Sequence, residues 1–334
     1  MKYAKYFSIF VFSATLIYGG MGFYFLPLAT FQGDLTRVGL LPESEFGWRL
    51  PQPQLDTLLL KQSSLQDADV LVIGDSFSLS LVWQTALIKQ HLKVRTEHWS
   101  NFGGVCANLM PWLRKQGFKG KFIILESIER SLISYLDDSI SCAQVQYHRN
   151  SISINDGLGR SPVISFDIHA GNYAGKLSTG IQTQFNSITY KTLDLNNGFK
   201  GMPLANGIQL SRVTNGCELF SHNNCSDALF LDNDKAEEIE NTAIEKIEQL
   251  NSRLSDITVI WAIVPNKSTA YLYPNKQFWN KIEQRMHAPN LLRMTQEAIN
   301  QKLIDLYPAN NTHFSTNGYL LMGDIIYKSM LENH

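Results

Sequence analysis

The chain has 334 residues and a formal net charge of -1, from 29 basic and 30 acidic side chains. That length buries a full core in one or two domains. A near-neutral chain with no basic block excludes an electrostatic nucleic-acid surface, and the lack of an internal period or low-complexity tract excludes solenoid arrays and disordered tails.

Lys2 and Lys5 precede an apolar stretch over residues 6–28, and the next charge is Asp34. A helix needs about 20 apolar residues to cross a hydrocarbon core, whereas a signal-peptide core takes about 7–15. The stretch is long enough to span. Its lysines predict an inside N-terminus, with the rest of the chain sent across the inner membrane. Residues 1–30 therefore read as an uncleaved signal anchor, in preference to a signal cleaved after a small residue near Ala29. A buried soluble helix fits poorly, because nothing charged interrupts the run to form a solvent face. Residues 31–54 carry Pro42, Pro51 and Pro53 and show no clear period. They read as a linker onto a globular body over residues 55–334.

Within that body, residues 69–74 form a short apolar run closing on glycine, the pattern of a parallel strand buried on both faces. A helix is expected over residues 79–91 and another over 109–116. A second strand over 121–126 follows the Gly117/Gly120 break. Residues 234–254 give an amphipathic helix, with Ile239, Ala243, Ile247 and Leu250 on one stripe, which leads into a strand over 257–265. A helix over 291–298, a fourth strand over 302–306 and a closing helix over 318–331 complete the series. The alternation predicts an α/β fold with a doubly wound, mainly parallel sheet and right-handed crossovers. Residues from about 143 to 230 break this rhythm. They are rich in Ser, Thr, Asn and Gly, with alternating pieces at 151–154 and 163–166, and read as an inserted β-rich segment.

Export suits the four cysteines. Cys217 and Cys225 bracket a turn-rich polar loop and read as a disulfide, which leaves Cys106 and Cys142 as the second candidate pair. Free thiols in a cytosolic protein are the alternative that the anchor disfavours. The spacing is not that of a zinc site, and no metal or other cofactor is expected.

Gly74-Asp75-Ser76-Phe77-Ser78 follows the first strand and opens a helix. In open α/β sheets ligands bind beyond the carboxyl ends of the strands, and a serine at a helix start has backbone N–H groups that can hold an oxyanion. A plain strand-to-helix turn with Asp75 as cap is the bland alternative. The second element is Asn311-Thr312-His313-Phe314, on the loop before the last helix. Among eight histidines, His313 is singled out by that position. Ser76 is read as nucleophile and His313 as general base.

Taken together, these blocks resemble the SGNH hydrolase family, which has a flavodoxin-like three-layer fold. Asn101-Phe-Gly103-Gly104 is similar to the family's second block, so the resemblance implies that Gly103, Gly104 and Asn101 contribute to the oxyanion hole. Finer features are similar to the alginate O-acetyltransferase-like branch of cell-surface polysaccharide modification. These are Gly-Asp-Ser-Phe-Ser at 74–78, Glu126-Ser-Ile-Glu-Arg130, Val264-Pro-Asn-Lys267, and Asn-Thr-His-Phe-Ser-Thr-Asn-Gly at 311–318. The resemblance implies serine-dependent O-acetyl transfer or ester hydrolysis on a periplasmic polysaccharide, through an acyl-serine. It also implies an acetyl donor relayed by a multi-spanning O-acyltransferase.

Here the nucleophile block precedes the histidine block, the reverse of the alginate-type order. Asn311 stands where Asp-x-His would place the carboxylate, and Asn310 stands at the plain family's spacing of three. An asparagine can orient an imidazole but brings no charge to the imidazolium. Either Asn311 serves, or another acid approaches, or the chain is a non-catalytic carbohydrate-binding or scaffold subunit. Asp167-Ile-His169 is a competing local match. Asp75 reads as a cap or a supporting acid. Glu126 and Arg130 read as a helix-start ion pair or as site lining, and Lys267 as a loop cation or part of the site. Trp99 and Trp112 read as core.

Overall fold

The computed structural model describes residues 2–148, 176–191, 202–203, 207–234 and 237–333. The readings at 151–154, 163–166, Asp167 and His169 lie outside the described residues. Seven strands are described: β1 Val70–Gly74, β2 Val94–His98, β3 Phe122–Ile128, β4 Met202–Pro203, β5 Ile208–Arg212, β6 Asp227–Leu231 and β7 Thr258–Val264. They form a parallel sheet in the order β2-β1-β3-β7 and an antiparallel sheet in the order β4-β5-β6. The chain divides into two compact units: Met1–Leu50 with Ser165–Asn233 and Pro308–Thr312, and Pro51–Ile164 with Asp234–Tyr307 and His313–His334.

The second unit is built on the parallel sheet. Every residue of β1 and β3 is buried, because both strands are nearly continuous apolar runs that can be covered on two sides. On one face Leu71, Ile73, Ile123, Leu125, Trp261 and Ile263 share a core with Leu132 and Ile247. Alternate residues Val70, Val72, Ile124 and Ala262 are as deeply buried, as the two-residue strand period requires. Burying each large side chain contributes roughly 1.5–3 kcal/mol. The closing helix Thr316–Glu332 passes Trp83 so closely that a Cβ on Gly323 would stand 2.2 Å from the Trp83 carbonyl oxygen. The register pairs Gly74 with His98, Ile73 with Leu125 and Ile128 with Val264. The carboxyl ends of all four strands therefore lie along one edge.

The first unit holds the antiparallel sheet and a smaller core of Leu35, Leu41, Phe46, Tyr190, Ile208, Leu210 and Leu229. The helix Lys2–Phe25 belongs to a 27-residue apolar stretch, long and apolar enough to cross a membrane, whose apolar window has no buried residue.

Several expectations need correction. The linker over 31–54 contains two short helices, Asp34–Gly39 and Glu43–Phe46, and its apolar side chains Leu35, Leu41 and Phe46 are core. The helix over 79–91 is two short ones, Ser76–Leu79 and Thr85–Lys89, interrupted where Leu81 takes a left-handed φ of 60°. Residues 302–306 are turns rather than a strand, because Lys302 and Asp305 are both left-handed, with φ of 59° and 56°. The helix over 234–254 begins only at Asn241. Strand β2 was not expected: Val94-Arg-Thr-Glu-His is an edge strand without an apolar run, although Thr96 and Glu97 are buried. The inserted segment contains the helix Leu177–Lys191 beside its strands.

Cys106 pairs with Cys142 and Cys217 with Cys225. Peptide mapping without reductant should recover these two links. The first closes a loop spanning a sequence separation of 36, so replacing both of its cysteines by serine should cost about 2–4 kcal/mol in urea unfolding. A Cys106–Cys217 peptide would contradict the pairing.

Candidate active site

Strand β1 ends in a turn held from three directions. Asp75 caps the helix Ser76–Leu79, its carboxylate accepting from the Phe77 N–H at 2.9 Å. The other carboxylate oxygen accepts from the Ile128 N–H at 2.7 Å, at the end of β3. Beneath the turn lies Glu126, wholly buried. Its Oε2 accepts from the Asp75 N–H at 3.0 Å and from the Ser78 hydroxyl at 2.6 Å. Position 74 admits only glycine, since a Cβ would stand 2.2 Å from Ser78 Oγ and 2.7 Å from Glu126 Oε2. The Trp83 indole N–H donates to Ser78 Oγ at 3.3 Å, and the Trp99 indole N–H to the Glu126 carbonyl at 2.6 Å. With its neighbours tied inward, Ser76 is left exposed.

His313 reaches this turn from the loop before the closing helix. Ser315 caps that helix by accepting from the Gly318 N–H at 3.4 Å, and its own N–H donates to the Leu306 carbonyl at 2.9 Å. The imidazole is 6% exposed and lies on Phe77, with ring centroids 4.8 Å apart. Phe77 in turn packs among Tyr307, Phe314 and Tyr319. The ring rests on this aromatic cluster, and His313 Nε2 lies 2.8 Å from Ser76 Oγ. With the ring proton on Nδ1, Nε2 accepts from the serine hydroxyl. The structure thus brings together a solvent-facing hydroxyl and a buried base at the carboxyl edge of a parallel sheet.

The remaining residues divide. Gly103, at the end of the helix Trp99–Phe102 that follows β2, has a φ of 70°; it is exposed, and a Cβ there would meet nothing within 4 Å. Gly104 has a φ of 136° and lies against Ser139, whose Cα would be 3.0 Å from an added Cβ. Asn101 is buried with its amide donating to Glu97 Oε2 at 2.7 Å, an engagement that local sequence does not reveal. Glu126 and Arg130 do not pair. Glu126 supports the turn, whereas the Arg130 guanidinium donates to Asn266 Oδ1 at 3.3 Å and lies 3.8 Å from Asp234. Lys267 is 2% exposed at the start of the helix Lys267–Tyr271, so it is not a surface loop cation. Asn311 and Asn310 belong to the first unit. The Asn311 N–H donates to the Pro308 carbonyl at 3.1 Å, and the Asn310 amide donates to Glu43. Trp99 is core, stacked on Tyr135 at 4.8 Å.

Burial pushes the Glu126 carboxyl well above the usual carboxylate range, and the nearby charge of Asp75 adds to the rise. Burial lowers the His98 imidazole, with Asp75 partly opposing. Sequence reasoning missed Ser78 and Trp83 as holders of the turn. The second serine of Gly-Asp-Ser-Phe-Ser was the available signal, since it places a hydroxyl two residues beyond the nucleophile position.

Both hydrogen bonds to Glu126 fall on Oε2. Glu126→Gln preserves the Oε2-type acceptor and cannot ionise. A carboxyl whose folded pKa is raised contributes stability below its unfolded pKa of about 4.3 and loses it as pH rises towards the folded value. Urea unfolding across pH should therefore show the wild type falling relative to Glu126→Gln above about pH 4.3. Glu126→Ala should cost about 2–3 kcal/mol by leaving the Asp75 N–H and the Ser78 hydroxyl unpaired. A wild type that gains on the glutamine variant with rising pH would mean that the ionised form is the one the fold favours.

No protein-family model, curated protein or solved structure matches this chain.

Proposed function

We propose that this chain is an SGNH-type serine esterase or O-acetyltransferase that acts on a cell-surface polysaccharide outside the inner membrane, to which its first helix anchors it. The observation that carries the reading is the 2.8 Å approach of His313 Nε2 to the exposed Ser76 Oγ. A solvated hydroxyl needs no such partner. A nucleophile does, because its proton must leave as it attacks.

In this mechanism Ser76 Oγ attacks the acyl carbonyl while His313 Nε2 takes the hydroxyl proton. The tetrahedral oxyanion is held by the Ser76 N–H and a glycine N–H from Gly103 or Gly104. Asn101 is the further candidate donor, one N–H of its amide being given to Glu97 Oε2. Collapse expels the leaving oxygen, which receives the proton from His313. A sugar hydroxyl, or water in an esterase, then attacks acyl-Ser76 with the same histidine as base. The acetyl donor on that side of the membrane would come from a multi-spanning O-acyltransferase. The second reading, a non-catalytic carbohydrate-binding or scaffold subunit, is favoured by Asn311 standing at the acidic position of the Asp-x-His pattern.

Turnover of p-nitrophenyl acetate by the full chain in detergent separates these readings. Ser76→Ala and His313→Ala should each lower kcat by roughly 10³-fold or more, with the double variant little worse than either, because groups acting as a unit are non-additive. Full activity in Ser76→Ala would overturn the site. No turnover in any form, with glycan binding unchanged by Ser76→Ala, is the result for a binding subunit.

A further inference from the structure

The helix Leu177–Lys191 is turned inside out. Its buried positions are Gly180, Thr183, Ser187 and Tyr190. The polar side is tied down by hydrogen bonds within the first unit. The Asn186 amide donates to the Gly39 and Leu40 carbonyls at 3.0 and 3.1 Å, the Ser187 hydroxyl to Glu45 at 3.2 Å, and the Asn224 amide to the Tyr190 hydroxyl at 2.8 Å. The apolar side faces out: Phe185 is 63% and Ile188 51% exposed, with Leu177 and Ile181 half-buried. At about 100° per residue these four fall within an arc of about 80°. An ordinary surface helix turns such a stripe towards the core. Rotating this helix to do so would break the hydrogen bonds just named.

The helix also has a particular place in its unit. Gly180 lies against the backbone of Phe25, so close that a Cβ would stand 1.9 Å from the Phe25 carbonyl oxygen. Phe25 is the last residue of the apolar N-terminal helix. The neighbouring Tyr24 and Leu26 are exposed by 59% and 42%. The helix thus packs directly against the end of the membrane-spanning candidate, where the exposed Tyr24 suits the headgroup level.

We infer that Leu177–Lys191 is an interfacial helix that lies on the bilayer, with Leu177, Ile181, Phe185 and Ile188 in the acyl boundary. It docks the first unit onto lipid, as an amphipathic helix docks by its apolar face. The inference rests on the reading of Lys2–Phe25 as a membrane span. Its occupant is the lipid surface, not a second copy of the chain.

The described cysteines are all disulfide-bonded, so an added cysteine can be labelled selectively without reductant. Phe185→Cys and the control Gln182→Cys, each carrying an NBD fluorophore, are reconstituted as full chains in phosphatidylcholine/phosphatidylglycerol vesicles at high lipid-to-protein ratio. NBD at 185 should emit at shorter wavelength, and lipids spin-labelled near the headgroup should quench it severalfold more than NBD at 182. Equal, weak quenching at both positions overturns the inference. So does a blue shift at 185 without lipid quenching, which would mean that a second copy or the chain itself covers the stripe. Leu16→Cys, labelled in the same way, keeps the two readings apart. Quenching at 16 by lipids labelled deep in the acyl chain, without quenching at 185, sinks only the interfacial helix. No quenching at 16 sinks the span.

Discussion

A buried carboxyl group at the end of β3 holds the turn on which the candidate chemistry depends. Glu126 lies beneath the strand-to-helix junction and takes both the Asp75 N–H and the Ser78 hydroxyl on one oxygen. Burial raises its pKa, which favours the neutral carboxyl there. A buried charge would be far costlier to keep there. Gly74 completes the constraint from the other side, since any side chain at that position would occupy the space of Ser78 and Glu126. Asp75 then ties the same turn to the end of β3 through the Ile128 N–H. Gly74, Asp75 and Ser78 of the motif, with Glu126 beneath them, hold the turn that presents the Ser76 hydroxyl.

The base is placed by a different kind of force. Within the second unit the imidazole of His313 rests on Phe77, itself wedged among Tyr307, Phe314 and Tyr319. Nucleophile and base are therefore coupled through one side chain. Phe77 follows Ser76 directly in sequence and lies under His313 in space, so a shift of the turn moves the surface on which the base rests. Such coupling suits an approach of 2.8 Å that has to be kept without a bound ligand.

Much of this was legible in the sequence, for physical reasons that also explain the failures. Strands β1, β3 and β7 are largely buried on both faces and so write themselves as nearly continuous apolar runs. Strand β2 lies at the sheet edge, and Arg95, Thr96 and Glu97 hide it. The run over 302–306 carries the same apolar signal as a strand, yet Lys302 and Asp305 are left-handed, which composition does not reveal. The segment over 31–54 looked like a linker because its prolines break periodicity, while its three core side chains are too widely spaced to form a pattern. Ser76 and His313 were legible because strand ends and the last loop fall on one sheet edge in this topology. The commitment of Asn101 to Glu97 and of Asn310 to Glu43 was not, since each depends on a side-chain contact that no spacing rule encodes.

The central claim is that Ser76 is a nucleophile activated by His313. It is tested most directly by exposing the full chain to a fluorophosphonate probe and weighing the intact protein. The account predicts one adduct, mapped to the peptide containing Ser76, formed far more slowly by His313→Ala. An unlabelled chain, or an adduct carried by any other residue, would contradict it.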